Sequence, residues 1–244
     1  MKVTMLVSLL MLASVSPARS VIPAGTILPL QLNSSLNSRK SKPGQAVTAR
    51  IMQDVSLPSG ERIPIGSEAM GRVLKVVRAA NGKGAEISFE FDTLEISKRS
   101  IPIVANLRAL ASMMEVEQAQ LPTTGPDRGS SENSWITEQI GGDIVYRGGG
   151  PVMNGFEVVG RPTANGVLVQ VGSHPGTKCR SDVGGNDYPQ ALWLFSADAC
   201  GTYGFSDLRI AHAGRSDTAG QITLASDEGD INVRSGSGLL LRVR

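Results

Sequence analysis

The chain is poor in the residues that most often carry chemistry. It has two cysteines, two histidines and an aromatic content of 4% in 244 residues. Two histidines leave little choice of general base, and so few rings argue against a carbohydrate platform of stacked aromatics. No G-x-x-x-x-G-K-[ST] string occurs, which removes the P-loop, and the glycine-dense stretch around residues 141–150 lacks the spacing of a dinucleotide fingerprint. The nearest approach to a serine-nucleophile elbow, Ser235-Gly236-Ser237-Gly238, has the wrong spacing and reads as a loop between two terminal strands. Paired carboxylates can always be picked from 22 acidic residues, so such a pair does not by itself indicate a glycosidase. Asp227-Glu228-Gly229-Asp230 lacks the alternating oxygen ligands of a calcium loop and reads as a solvated hairpin turn.

The one long apolar run is residues 3–15, preceded by Lys2 and followed by Ser16-Pro17-Ala18-Arg19-Ser20. A short charged start, an apolar stretch and small residues before a cleavage point are the three parts of a secretory signal. The run is shorter than the roughly 20 residues that span a bilayer. Residues 1–20 are therefore expected to be a signal peptide cleaved before Val21. No cysteine lies near that point to take a lipid, and no transmembrane segment is expected in the mature chain. The formal charge of +2 loses Lys2 and Arg19 on cleavage, 2 − 2 = 0. A neutral chain gives no electrostatic case for nucleic acid. The densest basic stretch, Arg39-Lys40-Ser41-Lys42, reads as a solvated loop.

Export changes the reading of the cysteines. In an oxidising compartment an even pair defaults to a disulfide, so Cys179 and Cys200 are expected to be bonded. The loop they close, 200 − 179 = 21 residues, corresponds to about 3 kcal/mol on the chain-entropy model. A metal site from His174, Cys179, Cys200 and His212 is the sharper alternative, but it has no C-x-x-C or H-x-x-x-H spacing. Cys179 as a nucleophile assisted by His174 is weaker still, because a disulfide would consume the thiolate. His212 sits at a strand end and reads as a structural histidine. Nothing in the sequence implies a cofactor.

What the chain has in quantity is strand signal punctuated by Gly, Pro and Asn. Residues 26–32 and 46–55 alternate at period two, as does the β-prone run within 69–79. Asn81-Gly82 predicts a tight hairpin. Beyond it Ile87, Phe89 and Phe91 share one face, then the apolar phase flips to Leu94 and Ile96. One extra residue swaps faces, so a bulge is predicted near Asp92-Thr93. Ile101, Ile103, Ala105, Leu107 and Ala109 continue the alternation after a turn at 97–100. Residues 114–120 suit one or two helical turns, and 121–134 read as a linker or surface loop. Strands return at 166–171, 191–195, 208–211, 221–224, 230–234 and 239–243. No period of 20 to 50 residues repeats, which argues against a solenoid or propeller.

Ile22-Pro23-Ala24-Gly25-Thr26-Ile27, Pro43-Gly44-Gln45-Ala46-Val47-Thr48-Ala49-Arg50, Gln53-Asp54-Val55, Ile63-Pro64-Ile65-Gly66-Ser67 and Gly71 together resemble the barrel domain of TrbI-type channel proteins of conjugation and type IV secretion systems. The resemblance covers roughly residues 22–103 and implies a β-barrel there. The chain departs from that family in having a cleavable signal in place of a membrane helix with a proline-rich stalk. The remainder, with Cys179, Trp193 and Cys200, resembles only uncharacterised exported bacterial proteins.

The expected fold class is all-β, an antiparallel β-barrel or sandwich with a long Gly/Pro-rich middle segment. The expected organisation is a signal at 1–20, a barrel-like domain at 21–112, a linker or surface loop at 113–134, and a second β-rich region at 135–244 that either stands alone or completes the same barrel. The expected function is that of a non-enzymatic periplasmic or secreted protein with partners in the cell envelope. An exported hydrolase, with a site in the glycine-rich middle or around His174 and His212, and a secretion-apparatus component are the alternatives.

Overall fold

The structure is a computed structural model that describes residues 22–120, 135–138, 140–141, 144–147, 152–154, 157–163, 166–170, 189–196, 199–211 and 220–244. The expected signal, 1–20, and the expected loop at 121–134 lie outside the described residues. The first half contributes β1 (Ile27–Leu32), β2 (Leu36–Asn37), β3 (Ala46–Ile51), β4 (Val55–Ser56), β5 (Arg62–Ile63), β6 (Glu68–Val77), β7 (Glu86–Ile96), β8 (Arg99–Pro102) and β9 (Ala105–Ala111). Helix α1 (Met113–Gln120) follows, capped by the Ser112 hydroxyl, which accepts from the Glu115 N–H at 3.3 Å. Next come β10 (Trp135–Glu138), β11 (Ile144–Arg147), β12 (Val152–Asn154), β13 (Glu157–Thr163), β14 (Gly166–Gln170) and β15 (Pro189–Ala191). The last part holds β16 (Gly201–Tyr203), β17 (Arg209–Ile210), β18 (Gln221–Ala225), β19 (Asn232–Val233) and β20 (Gly238–Val243).

The fold is all-β, built on one 10-stranded sheet. Its ladders follow one path. β7 pairs with β8, whose chain bends through Ile103 and Val104 into β9; β9 pairs with β20, β20 with β1, β1 with β3, β3 with β6, and β6 with β7 again. The C-terminal strand thus lies inside the sheet begun by the first half, between β1 and β9. β18 also joins that sheet, against β7. The residues between form two sheets of their own, β10–β11 and β12–β15. One pairing departs from the antiparallel expectation: β16 runs parallel to β9, with Gly201 opposite Ala109.

Strand alternation buries one face of this sheet. Leu28, Leu30, Leu32, Val47, Ala49, Ile51, Ala69, Val73, Ile87, Phe89, Phe91, Leu94, Leu239 and Leu241 form one buried cluster. Phe89 and Phe91 meet edge to face with ring centroids 5.9 Å apart. The predicted phase flip is physical: Met70 faces Thr93 and Gly71 faces Phe91, so Asp92 is the extra residue of a bulge. Asn81 and Gly82 both have positive φ, 53° and 72°, which is the hairpin geometry their sequence favours.

Four turns set the strands. Pro23–Thr26, Lys42–Gln45, Pro64–Ser67 and Arg234–Ser237 each close a four-residue bond, with glycine third at φ between 83° and 91°. They work in reciprocal pairs. The turn before β1 binds the end of β20 (Gly25 N–H to Val243 O, 2.8 Å), and the turn before β20 binds the end of β1 (Gly236 N–H to Leu32 O, 2.8 Å). The turns before β3 and β6 do the same to each other's strands, through Gly44 to Val73 O and Gly66 to Ile51 O, both 2.8 Å. The latter clamp explains why the strand expected over 46–55 ends at Ile51, with Val55 restarting in the short β4–β5 ladder.

The segment expected as a strand at 191–195 is a correction as well. β15 ends at Ala191, and the Phe195 N–H donates to Leu192 O at 2.9 Å, closing a turn with Trp193 at φ 51°. Leu192, Trp193, Leu194 and Phe195 are all buried, so tight packing on every side resembles a strand covered on both faces. With Val116 and Ala119 of α1 they form a second cluster over Ile27, Ala109, Ala111 and Leu240.

Candidate functional site

Several residues singled out by sequence lie outside the described residues: Cys179, His174 and His212. Cys200 is buried, 2% exposed, and is not a free thiol. Its backbone is clamped by the Tyr203 hydroxyl, which accepts from the Cys200 N–H at 2.9 Å and donates to the Cys200 carbonyl at 3.0 Å. Gly141, at φ 83°, approaches the same hydroxyl so closely that a Cβ would stand 2.5 Å from it. Among the described residues no cluster of His, Cys, Asp or Glu could hold a metal ion. Among them, too, no helix is long and apolar enough to cross a membrane.

The acidic turn at Asp227-Glu228-Gly229-Asp230 joins β18 to β19 and is stapled by an acid that sequence gave no reason to notice. The Asp207 carboxylate accepts the backbone N–H groups of Asp227, Glu228 and Gly229 at 2.9, 3.0 and 3.0 Å. Those three donors hold its pKa below the usual carboxylate range. Asp230 is lowered too, first by the Ser38 hydroxyl at 2.8 Å and then by Arg39. Donors thus converge on each of these carboxylates from within the fold, and the turn is a fastened corner.

Buried polar groups stand out from the apolar core. Gln53 is fully buried, and its Oε1 accepts the Trp193 N–H at 2.6 Å, tying the β3–β4 connection to the turn at 192–195. Arg108 is 2% exposed at the bulge where β9 slips against β20, two residues from the buried Asn106. Within an apolar alternation both Asn106 and Arg108 sit at positions that ordinarily face water, and only the covering layer buries them.

The surface offers two features. One is an open groove of about 340 Å³ between the turn at 64–67 and the β7–β8 hairpin, where Glu68 and Glu95 stand directly opposed. Like charges across a ladder are unfavourable, and no buried polar group without a partner points into this groove. The other is a strand edge. β6 is ten residues long, but β3 pairs with it only from Glu68 to Arg72, and the last bond on that side joins Val73 to Gln45. Among the described residues, no strand pairs with residues 74–77 on the side away from β7. β7 is covered by β18 along this same stretch, so the open edge belongs to β6.

That edge is fixed at both ends. Val73 is bonded in both directions to the 42–45 turn, and beyond the strand Ala80 and Lys83 exchange both backbone bonds across the hairpin, at 3.0 and 2.9 Å. The basic loop read from sequence as merely solvated therefore borders the open stretch. Arg39 is paired with Asp230, whereas Lys40, Lys42 and Arg78 are exposed without an ion pair among the described residues. The acids of β7 nearest this stretch are already engaged: Lys75 meets Glu86 at 3.0 Å, and Arg72 meets Glu90 and Asp92. No family model, curated protein or solved structure matches this chain.

Proposed function

We propose that the protein is exported to the periplasm or secreted, and acts there without catalysis as a partner-binding element of the cell envelope. The open, pre-ordered edge of β6 is the observation that supports binding, since an unpaired strand edge is a template for another chain. The layout of residues 1–20 supports export, and with export goes a Cys179–Cys200 disulfide, consistent with Cys200 not being free. The test joins compartment and contact. A photo-crosslinking residue placed at Val77 should give adducts of defined mass in the extracytoplasmic fraction. Recovery of the protein in the cytoplasm, or only uncrosslinked monomer outside it, would remove the proposal.

The second reading is a component of a conjugation or secretion apparatus. Three of the four strand-setting turns, at 23–26, 42–45 and 64–67, contain residues on which the TrbI-type resemblance rests. Their work is structural, so the likeness speaks for fold before role. A role in the apparatus predicts stable co-purification with envelope channel subunits. An exported hydrolase predicts instead an activity lost when His174 and His212 are both changed to alanine.

A further inference from the structure

Resting on the partner-binding reading, we propose that the open edge of β6 at residues 74–77 receives an extended acidic segment of another protein as an added strand. Three observations converge on this occupant. Beyond a bulge at Leu74, Lys75-Val76-Val77 continues the β-prone strand, and Val77 is 39% exposed beside the edge. Because Val73 and Ala80 are both anchored, the template costs little to order when a strand is added. Lys40, Lys42 and Arg78 lie on or around this edge without counter-charges, whereas the nearby carboxylates of β7 are occupied by Arg72 and Lys75.

Charge also selects against the commonest competitor. A second copy pairing edge to edge would bring Lys75 and Arg78 against their like, which is how edge strands avoid self-association. An acidic strand meets the opposite field. Main-chain bonds would supply the register and the lysines the preference for acid.

The probe is a fluorescein-labelled peptide alternating glutamate and valine, with a lysine-valine peptide as control, titrated into the purified protein by anisotropy. Hydrogen exchange is followed at the same time. The acidic peptide should bind, slow exchange at the amides of residues 74–77, and bind about tenfold or more weakly to a Lys40→Glu, Lys42→Glu, Arg78→Glu variant. All three side chains are exposed, so the variant should keep the circular dichroism of the parent.

Absence of binding overturns the proposal. So does binding without protection at 74–77, which would be adhesion of any polyanion to the basic loop. If Val77 crosslinks still capture a partner while the peptide leaves those amides unchanged, the acidic-strand occupant fails and the partner-binding reading stands.

Discussion

At the residue scale the glycines and hydroxyls of the turns carry most of the specificity. A Cβ on Gly71 would stand 1.7 Å from the Glu90 carbonyl oxygen, a backbone atom that cannot swing away, because the bulge at Asp92 presses β7 against β6 at that point. Gly71→Ala should therefore lower stability by about 1–3 kcal/mol in urea unfolding, as overpacking does. The turn hydroxyls offer a graded comparison. Thr26 Oγ1 and Ser67 Oγ donate to the first carbonyl of their turns at 2.6 and 2.7 Å, whereas the equivalent Ser237 Oγ has no hydrogen-bond partner. Ser67→Ala should cost about 1 kcal/mol and Ser237→Ala close to nothing. Equal losses would show that the hydroxyl bond adds nothing to the turn. Asp207 supplies a pH dependence with a definite sign. Its folded pKa is lowered, so its contribution is present above the unfolded value and is lost as pH falls through the folded one. The difference in stability between the parent and Asp207→Asn should accordingly shrink on acidification and vanish below both values.

At the element scale the decisive contact is between a connection and a turn. Gln53 and Trp193 are 140 residues apart in sequence, yet the Trp193 N–H reaches the Gln53 carbonyl oxygen in a fully buried setting. Gln53→Leu would leave that N–H without a partner and should cost about 1–3 kcal/mol. Tryptophan fluorescence should report the change before far-ultraviolet dichroism does. The residues expected as a strand at 191–195 mislead for a physical reason. A run of apolar side chains says that a segment is buried and leaves its backbone open. Burial at 191–195 comes from α1 and the outer faces of β1, β9 and β20, which periodicity within the segment does not register. The hairpin at Asn81-Gly82 and the bulge at Asp92 were legible because both depend on φ preference and face alternation within a few residues.

At the scale of the whole molecule, the pairing of the last strand governs stability. β20 lies between β1 and β9 and adds Leu239 and Leu241 to the main core, so deleting residues 238–244 should leave a protein without cooperative unfolding. Were β20 an appendage, the truncated chain would keep a sharp transition. The sequence by itself determined the strand-rich class, the turns at Pro and Gly and the face of each early strand. All of these follow from local backbone preference and short-period patterning. Only the tertiary structure decided that β18 and β20 return to the sheet of the first half, that β16 runs parallel, that Gln53 meets Trp193, that Arg108 is buried, and that β6 outruns its neighbour to leave an edge beside a basic loop. Each depends on which distant segment lies alongside, and a single sequence records the hydrophobic faces that need a partner but not which partner they find.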